Sequence, residues 1–282
     1  MQAVAVPVVA AALAEAEGTL AAAGVETGDV WRTVRVVGRT HQSADTVSFT
    51  LASKDGSVLP TFRPGQYLSV GVRLPDGARQ IRQYSLSNAP SKGDWRITVK
   101  RVLPATGADG TTHPAGEVSN FLFDNVFEGD DLDVTTPFGD LVLPEDDKPI
   151  FLASAGIGCT PMIGMLDHLA ESGDARRISI LHADRSPASH AHRRELETLV
   201  ERIPSADVYR WYEDLGARQP LETMRVGRAD ISDLPLDPTT RAFLCGPLPF
   251  MLSLRQALIA RDVPAENIHY EVFGPDSWSP AS

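Results

Sequence analysis

The stretch "PIFLASAGIGCTPMIGMLDHLAESG", residues 149–173, changes character twice. "PIFLASAG" is a short, continuous apolar run, as expected for a strand buried on both faces. "TPMIGMLDHLAESG" sets Met162, Met165, Leu166 and Leu169 three or four residues apart, the spacing of an amphipathic helix. Between them lies "GIGCTP", Gly156 to Pro161. Its two glycines let the backbone turn tightly and approach a ligand closely. Thr160 stands near the helix start, and Pro161 suits the first helical turn, where a missing N–H costs nothing. A strand that turns sharply into a helix points free N–H groups and the positive end of the helix dipole outward, which makes an anion site. The third glycine of the usual dinucleotide fingerprint is absent, so a ligand-free turn accounts for this motif equally well on its own.

The same rhythm continues downstream. "RISILHA", "ADVYRWY", "RAFLCGP" and "NIHYEVF" read as strands, with helices in "HAHRRELETLVERI" and "PFMLSLRQALIARDV". Alternating strands and helices build a parallel sheet covered on both faces. Such a sheet binds ligands beyond the carboxyl ends of its strands. Cys245 of "CGP" stands at that rim; a lone cysteine before a turn is more often a packed side chain, and no base stands at a readable spacing. His182 is likewise expected to be packed or on the surface. Glu271 and Phe273 close the last strand, and core packing explains Tyr270 or Val272 better than a glutamate before Phe-Gly-Pro. The seven histidines and two cysteines show no HExxH or CxxC spacing, so no metal site is expected.

Upstream the pattern differs. From Trp31, "VWRTVRVVGRT", "TVSFTLAS", "YLSVGVRL", "RQYSLSN" and "DWRITVKRV" are short, rich in β-branched and aromatic residues, and separated by "KDG", "PG", "PDG" and "SKGD". They predict an antiparallel barrel or sandwich. "EVSNFLFDNV" predicts a short helix and "DLDVTTPFGDLVL" a strand-like segment. The change of rhythm near "EDDKP" divides the chain into an N-terminal helix and linker (1–30), a β domain (31–146) and an α/β domain (147–282). Residues 8–23 read as a packing or dimerisation helix ending near Gly24, since no Lys or Arg precedes Arg32 and Glu15 and Glu17 interrupt the apolar run of a would-be signal peptide. "RQYSLSN", Arg82 to Asn88, joins a cation, an aromatic ring and hydroxyls at close quarters. A flat, anionic ligand would use all three; a solvated loop would use none.

At 282 residues the chain is long enough for two cores, and 43% hydrophobic and 22% charged residues are ordinary for a soluble protein. No apolar run is long enough to span a membrane. The net charge of −11 argues against nucleic acid or an anionic membrane as the main partner. Two cysteines are too few for a disulfide framework, which predicts a reduced, cytoplasmic protein.

"FRPGQYLSV", "RQYSLSN", "GEVSNFL", "SAGIGCTPMIGML", "FLCGPLPFM" and "NIHYEVFGP" follow one another in an order and approximate spacing that resembles the ferredoxin–NADP reductase superfamily, most closely the reductase half of flavohaemoglobins. The resemblance runs from about Trp31 to Pro275. It implies an antiparallel FAD-binding β-barrel followed by a doubly wound parallel-sheet NAD(P)-binding domain. It implies that Arg82 pairs with the FAD pyrophosphate, where a planar cation suits phosphate. Tyr84 would stack on the isoalloxazine, Ser85 would reach its N5/O4 edge, and Gln83 and Tyr67 would belong to the same site. Gly116, Val118 and Ser119 match a second phosphate loop. Gly156, Ile157, Gly158, Cys159, Thr160 and Pro161 match the nicotinamide-nucleotide loop, and Cys245 and Gly246 its nicotinamide-side turn. Val272, Phe273, Gly274 and Pro275 match the segment that covers the flavin. Ser85, Cys245 and Glu271 would stand nearest the reacting centre as catalytic residues.

The implied reaction is hydride transfer from NAD(P)H to FAD, then electron delivery to an external haem protein such as a globin, as in nitric oxide detoxification. NADH is favoured over NADPH if Asp184 bonds the ribose hydroxyls; Arg185 and Arg193 would act in the opposite sense. About thirty residues before the barrel cannot hold a globin domain, and no four-cysteine cluster follows residue 275, so the acceptor is expected outside this chain. A free-standing flavin, dye or quinone reductase and a non-catalytic flavin- and nucleotide-binding regulator are the alternatives.

Overall fold

The computed structural model describes residues 30–106, 110–216 and 223–272, and the expected N-terminal helix lies outside them. Two six-stranded sheets account for the architecture. The first contains β1 (Trp31–Ser43), β2 (Thr46–Ser53), β3 (Tyr67–Arg73), β4 (Arg79–Ser85), β5 (Trp95–Lys100) and β8 (Asp131–Thr135), in the order β4-β3-β8-β1-β2-β5. Every pairing in it is antiparallel. A bridge between Leu86, just past β4, and Ile97 of β5 joins the two outermost strands and closes the sheet into a barrel. Val34, Val47, Phe49, Leu51, Leu68, Val70, Ile97 and Val134 fill it. Helix α1 (Glu117–Asn125) packs against β4 and β5, with Val118 and Leu122 in the same core.

The second sheet is wholly parallel: β9 (Ile150–Ala155), β10 (Ile178–Asp184), β11 (Ala206–Tyr212), β12 (Met224–Val226), β13 (Arg241–Cys245) and β14 (Ile268–Glu271), ordered β12-β11-β10-β9-β13-β14. Helices α2 (Cys159–Ser172), α3 (Arg193–Arg202) and α4 (Leu248–Ile259) follow β9, β10 and β13. Two separate apolar clusters, one on each face, explain the continuous apolar runs in its central strands. The expected β-barrel followed by a doubly wound parallel sheet is therefore the fold. Two elements went unforeseen: β12, and an exposed ribbon of β6 (Ala105–Thr106) and β7 (Thr112–His113). "DLDVTTPFGDLVL" is a strand only over Asp131–Thr135, and α3 starts after "HAH", because His192 has left-handed backbone at φ 58°. Among the described residues no helix is long and apolar enough to cross a membrane.

The two lobes meet along α2. A Cβ on Gly164 would stand 2.6 Å from the Leu86 carbonyl oxygen, so the helix backbone lies directly on the chain leaving β4. One turn on, the buried Asp167 carboxylate accepts the Ala89 N–H at 2.9 Å and the Lys92 ammonium at 2.6 Å, both from the barrel side. Asp167→Ala leaves that buried N–H without a partner. The expected loss is about 2 kcal/mol, a melting temperature several degrees lower by calorimetry. A shift below about 1 °C would show that the contact carries no stability.

Candidate active site

β10 lies on one side of β9 and β13 on the other, so the chain leaves β9 in opposite senses and a crevice opens at its carboxyl end. Gly156–Gly158 form a single 3-10 turn there, and α2 begins at Cys159. Across the crevice, β13 ends at Cys245, followed by Gly246 and Pro247. The two turns touch. A Cβ on Gly158 would stand 2.3 Å from the Cys245 carbonyl oxygen, and one on Gly246 would stand 3.1 Å from the Ala155 nitrogen. The sequence motif suggests that these glycines make room for a ligand; their nearest neighbour is the other turn. Gly156 is different. It has φ +53° with open space around its Cβ position, and it borders a cavity of about 430 Å³. Asp184, Arg185, Glu213, Arg228 and Phe250 also line that cavity, whose size suits a nucleotide.

The remaining loop residues serve the turn itself. Ile157 is half-buried, whereas Cys159, Thr160 and Pro161 are buried. The Thr160 hydroxyl donates to the Ile157 carbonyl at 3.1 Å. Burial pushes the Cys159 thiol up to about 12. Cys245 is fully buried, and burial together with the nearby Glu271 charge raises its thiol well above the ordinary value. It is a protonated, packed thiol, with no nucleophile to offer at neutral pH. Arg193 is not a cleft residue: it pairs with Glu197 at 3.1 Å. Glu213 and Arg228, which no motif singled out, are.

The barrel supplies the facing groups. Tyr67 of β3 pairs with Ser85 of β4, and Leu68 with Tyr84. Gly139, at φ +112°, lies against the Tyr67 ring, where a Cβ would come within 2.9 Å of two ring carbons. Tyr84 packs on the barrel core and burial raises its phenol far up, while Gln83 is exposed. Arg82 donates through Nη1 to the Ile81 carbonyl at 2.7 Å and to Gln80 Oε1 at 3.2 Å. The Gly116 turn is tied to Val102: the Gly116 N–H donates to the Val102 carbonyl at 2.9 Å, and Ser119 Oγ accepts the Val102 N–H at 3.2 Å. Val118 points into the core, so only its backbone is available to a ligand.

The last strand brings the two sides together. Glu271 pairs with Cys245, and Cys245 in turn with Ser154 on β9. Burial first, then the Asp140 carboxylate, raises Glu271 to about 7. Burial, Glu271 and Asp140 together raise the Tyr67 phenol, which places all three in one electrostatic neighbourhood. Ser85 Oγ and Glu271 Oε2 are buried polar atoms with no hydrogen-bond partner. Buried polar atoms are almost always paired, so two orphans where the lobes meet fit a polar ring edge lying between them. Val272 is half-buried against one face of the parallel sheet; Phe273, Gly274 and Pro275 lie outside the described residues.

Residues 33–142 match the Oxidoreductase FAD-binding domain family, and residues 152–256 match the Oxidoreductase NAD-binding domain family. The flavohemoprotein of Bordetella pertussis is 42% identical over 252 residues, covering 86% of this chain and 61% of that protein. The crystal structure of the flavohem-like FAD/NAD-binding domain of nitric oxide dioxygenase from Vibrio cholerae superposes with a TM-score of 0.77 at 34% identity, over 86% of this chain and 99% of that one. Flavohemoglobin from Malassezia yamatoensis, solved with bound FAD and heme, gives 0.74 at 30% identity, over 87% of this chain and 60% of that one. The fold and the crevice define an oxidoreductase with one lobe for FAD and one for NAD(P)H. The chain belongs to the ferredoxin–NADP reductase superfamily, in the branch formed by the reductase portion of flavohaemoproteins, and it is an FAD-containing NAD(P)H reductase. It spans 61% of the length of the curated relatives it matches.

Glu271 gives this site a pH signature. In the flavin-free protein its carboxyl keeps a proton up to about 7, against 4.5 when unfolded. Between these values the folded state binds more protons, so this contribution to stability is full below 4.5 and is lost as pH rises through 7. Glu271→Gln removes the dependence. The melting temperature of Glu271→Gln relative to wild type should rise across this window and then level; a difference that stays flat with pH would show that Glu271 ionises normally.

Proposed function

We propose that this chain takes electrons from NADH and delivers them to a haem protein. FAD held by the barrel lobe would supply the hydride acceptor for the nicotinamide and the electron donor for the haem protein. The unpartnered Ser85 and Glu271 at the meeting of the two lobes are the observation that carries the reading. Arg82 supplies the planar cation for the pyrophosphate, with the turn at Gly116, Val118 and Ser119 as a second phosphate contact. Tyr84 and Tyr67 supply the aromatic surfaces beside the ring, with Gln83 at its margin. Ser85 orients the ring's polar edge by a hydrogen bond. Glu271, poised near neutrality, holds or releases a proton at its carboxyl. The crevice beside Gly156 and Ile157 receives the dinucleotide, and the contact between the Gly158 and Cys245–Gly246 turns fixes its floor.

The coenzyme preference rests on the cavity's charges. Asp45 lies 3.3 Å from Arg185 and 3.8 Å from Lys100, so one carboxylate is shared between two of the cleft's cations. Glu213 lines the cavity together with Arg228, and a 2′-phosphate added beside the Glu213 carboxylate would meet like charge. NADH should therefore support faster dye reduction than NADPH at equal concentration. Glu213→Arg should narrow that ratio by about tenfold; an unchanged ratio would place the discrimination elsewhere.

Haem as acceptor is supported by the relatives, which are flavohemoproteins by name, one of them bearing both FAD and heme. The two free cysteines, both buried, support a cytoplasmic setting. Mixing the FAD-loaded protein anaerobically with NADH and a purified bacterial globin tests the assignment. Globin reduction should saturate with globin concentration and weaken with added salt. A rate no greater than that of free FAD with NADH would refute the haem acceptor and leave the reductase core.

A further inference from the structure

The loop joining β10 to α3 starts in the nucleotide cleft and ends against the barrel. At its start, Asp184 lines the cavity and accepts the Arg185 N–H at 2.7 Å and the Ser189 hydroxyl at 2.8 Å. At its end, the fully buried side chain of His192 bridges the lobes, with Nε2 2.9 Å from Thr98 Oγ1 on β5 and Nδ1 2.7 Å from Glu195 Oε2.

Charge settles which atoms donate. Hydrogen bonds from His192 and the nearby Arg96 hold Glu195 down at about 2, so it is an acceptor only. Burial lowers the His192 imidazole below its ordinary value and keeps it neutral, so its Nδ1–H donates to Glu195 and the bare Nε2 accepts the Thr98 hydroxyl. Thr98 Oγ1 also lies 2.8 Å from the Ser48 hydroxyl and 3.2 Å from that of Ser87. The other Glu195 oxygen accepts from Arg96 Nη2 at 2.7 Å, and Arg96 Nε donates to Ser87 Oγ at 3.2 Å. Ser87 stands two residues beyond Ser85 in "RQYSLSN". One histidine thus joins the rim of the nucleotide cleft to the strand end that carries the flavin-facing hydroxyl. Apolar contact would hold the lobes together without direction, whereas a chain of aligned hydrogen bonds fixes their register.

We propose that His192 is a positioning residue for transfer between the two cofactors: through Thr98 it holds the nucleotide cleft in register with the Ser85 end of β4. This rests on the reading that NADH reduces FAD across the lobes. The test is anaerobic rapid mixing of FAD-loaded wild type, His192→Ala, Thr98→Val and His192→Gln with a range of NADH concentrations. His192→Ala should lower the limiting rate of flavin reduction about tenfold or more, as misplaced reacting groups do, with FAD content and half-saturating NADH unchanged. Thr98→Val, which leaves His192 in place, should reproduce the effect, and the double variant should be little worse, because both remove one link. His192→Gln, whose amide can bond Thr98, should recover most of the rate. Limiting rates per bound FAD equal to wild type in both single variants would overturn the role of His192. Wild-type protein that NADH does not reduce would overturn the underlying reading as well.

Discussion

The backbone of α2 rests on the chain leaving β4, with only hydrogen at Gly164 between the helix and the Leu86 carbonyl. Other features of the molecule depend on this contact. The helix begins in the turn at the crevice of the parallel sheet, and the strand it touches has just supplied Arg82, Tyr84 and Ser85. Any larger residue at position 164 would move the cleft relative to the flavin strand. Asp167 fixes the same helix by accepting one backbone and one side-chain donor from the barrel side. Two independently cored lobes thereby become one site.

The polar groups at the seam fall into two kinds. Asp167 and His192 are buried and paired, and half-buried Glu195 is paired with His192 and Arg96, so they specify how the lobes sit. Ser85 Oγ and Glu271 Oε2 are buried and unpaired at the same seam. A fold gains nothing from orphaned polar atoms, and the desolvation that lifts Glu271 towards neutrality opposes stability above that pH. A polar ligand edge lying between the lobes would give both atoms a partner.

Much of this was legible in the amino-acid order. Apolar runs at β9 and β10 and the alternation at β1 to β5 mark a buried parallel sheet and a barrel, because periodicity records local burial. The grouping of the candidate residues was legible where one segment supplies several of them, as in Arg82 to Ser85. It was illegible where the partner is distant in sequence. Gly158 looks like a ligand glycine in isolation, yet its nearest neighbour is Cys245, across the crevice. Cys245 and Cys159 look available in a motif and are sealed in the core. Arg193 looks like a phosphate ligand and is spent on Glu197. "HAHRRELE" predicts a helix from its first histidine, but tertiary hydrogen bonds hold His192 outside it. Glu213 and Arg228 carry no motif, since only the fold brings those strand ends together.

The proposed reaction requires that the two lobes bring NADH and FAD together for direct reduction. Anaerobic titration of the FAD-loaded protein with NADH, followed by visible absorbance, tests it most directly. The expected result is a yellow protein whose flavin bands bleach with about one equivalent of NADH per flavin. Flavin that binds tightly but stays oxidised under excess NADH or NADPH would contradict it.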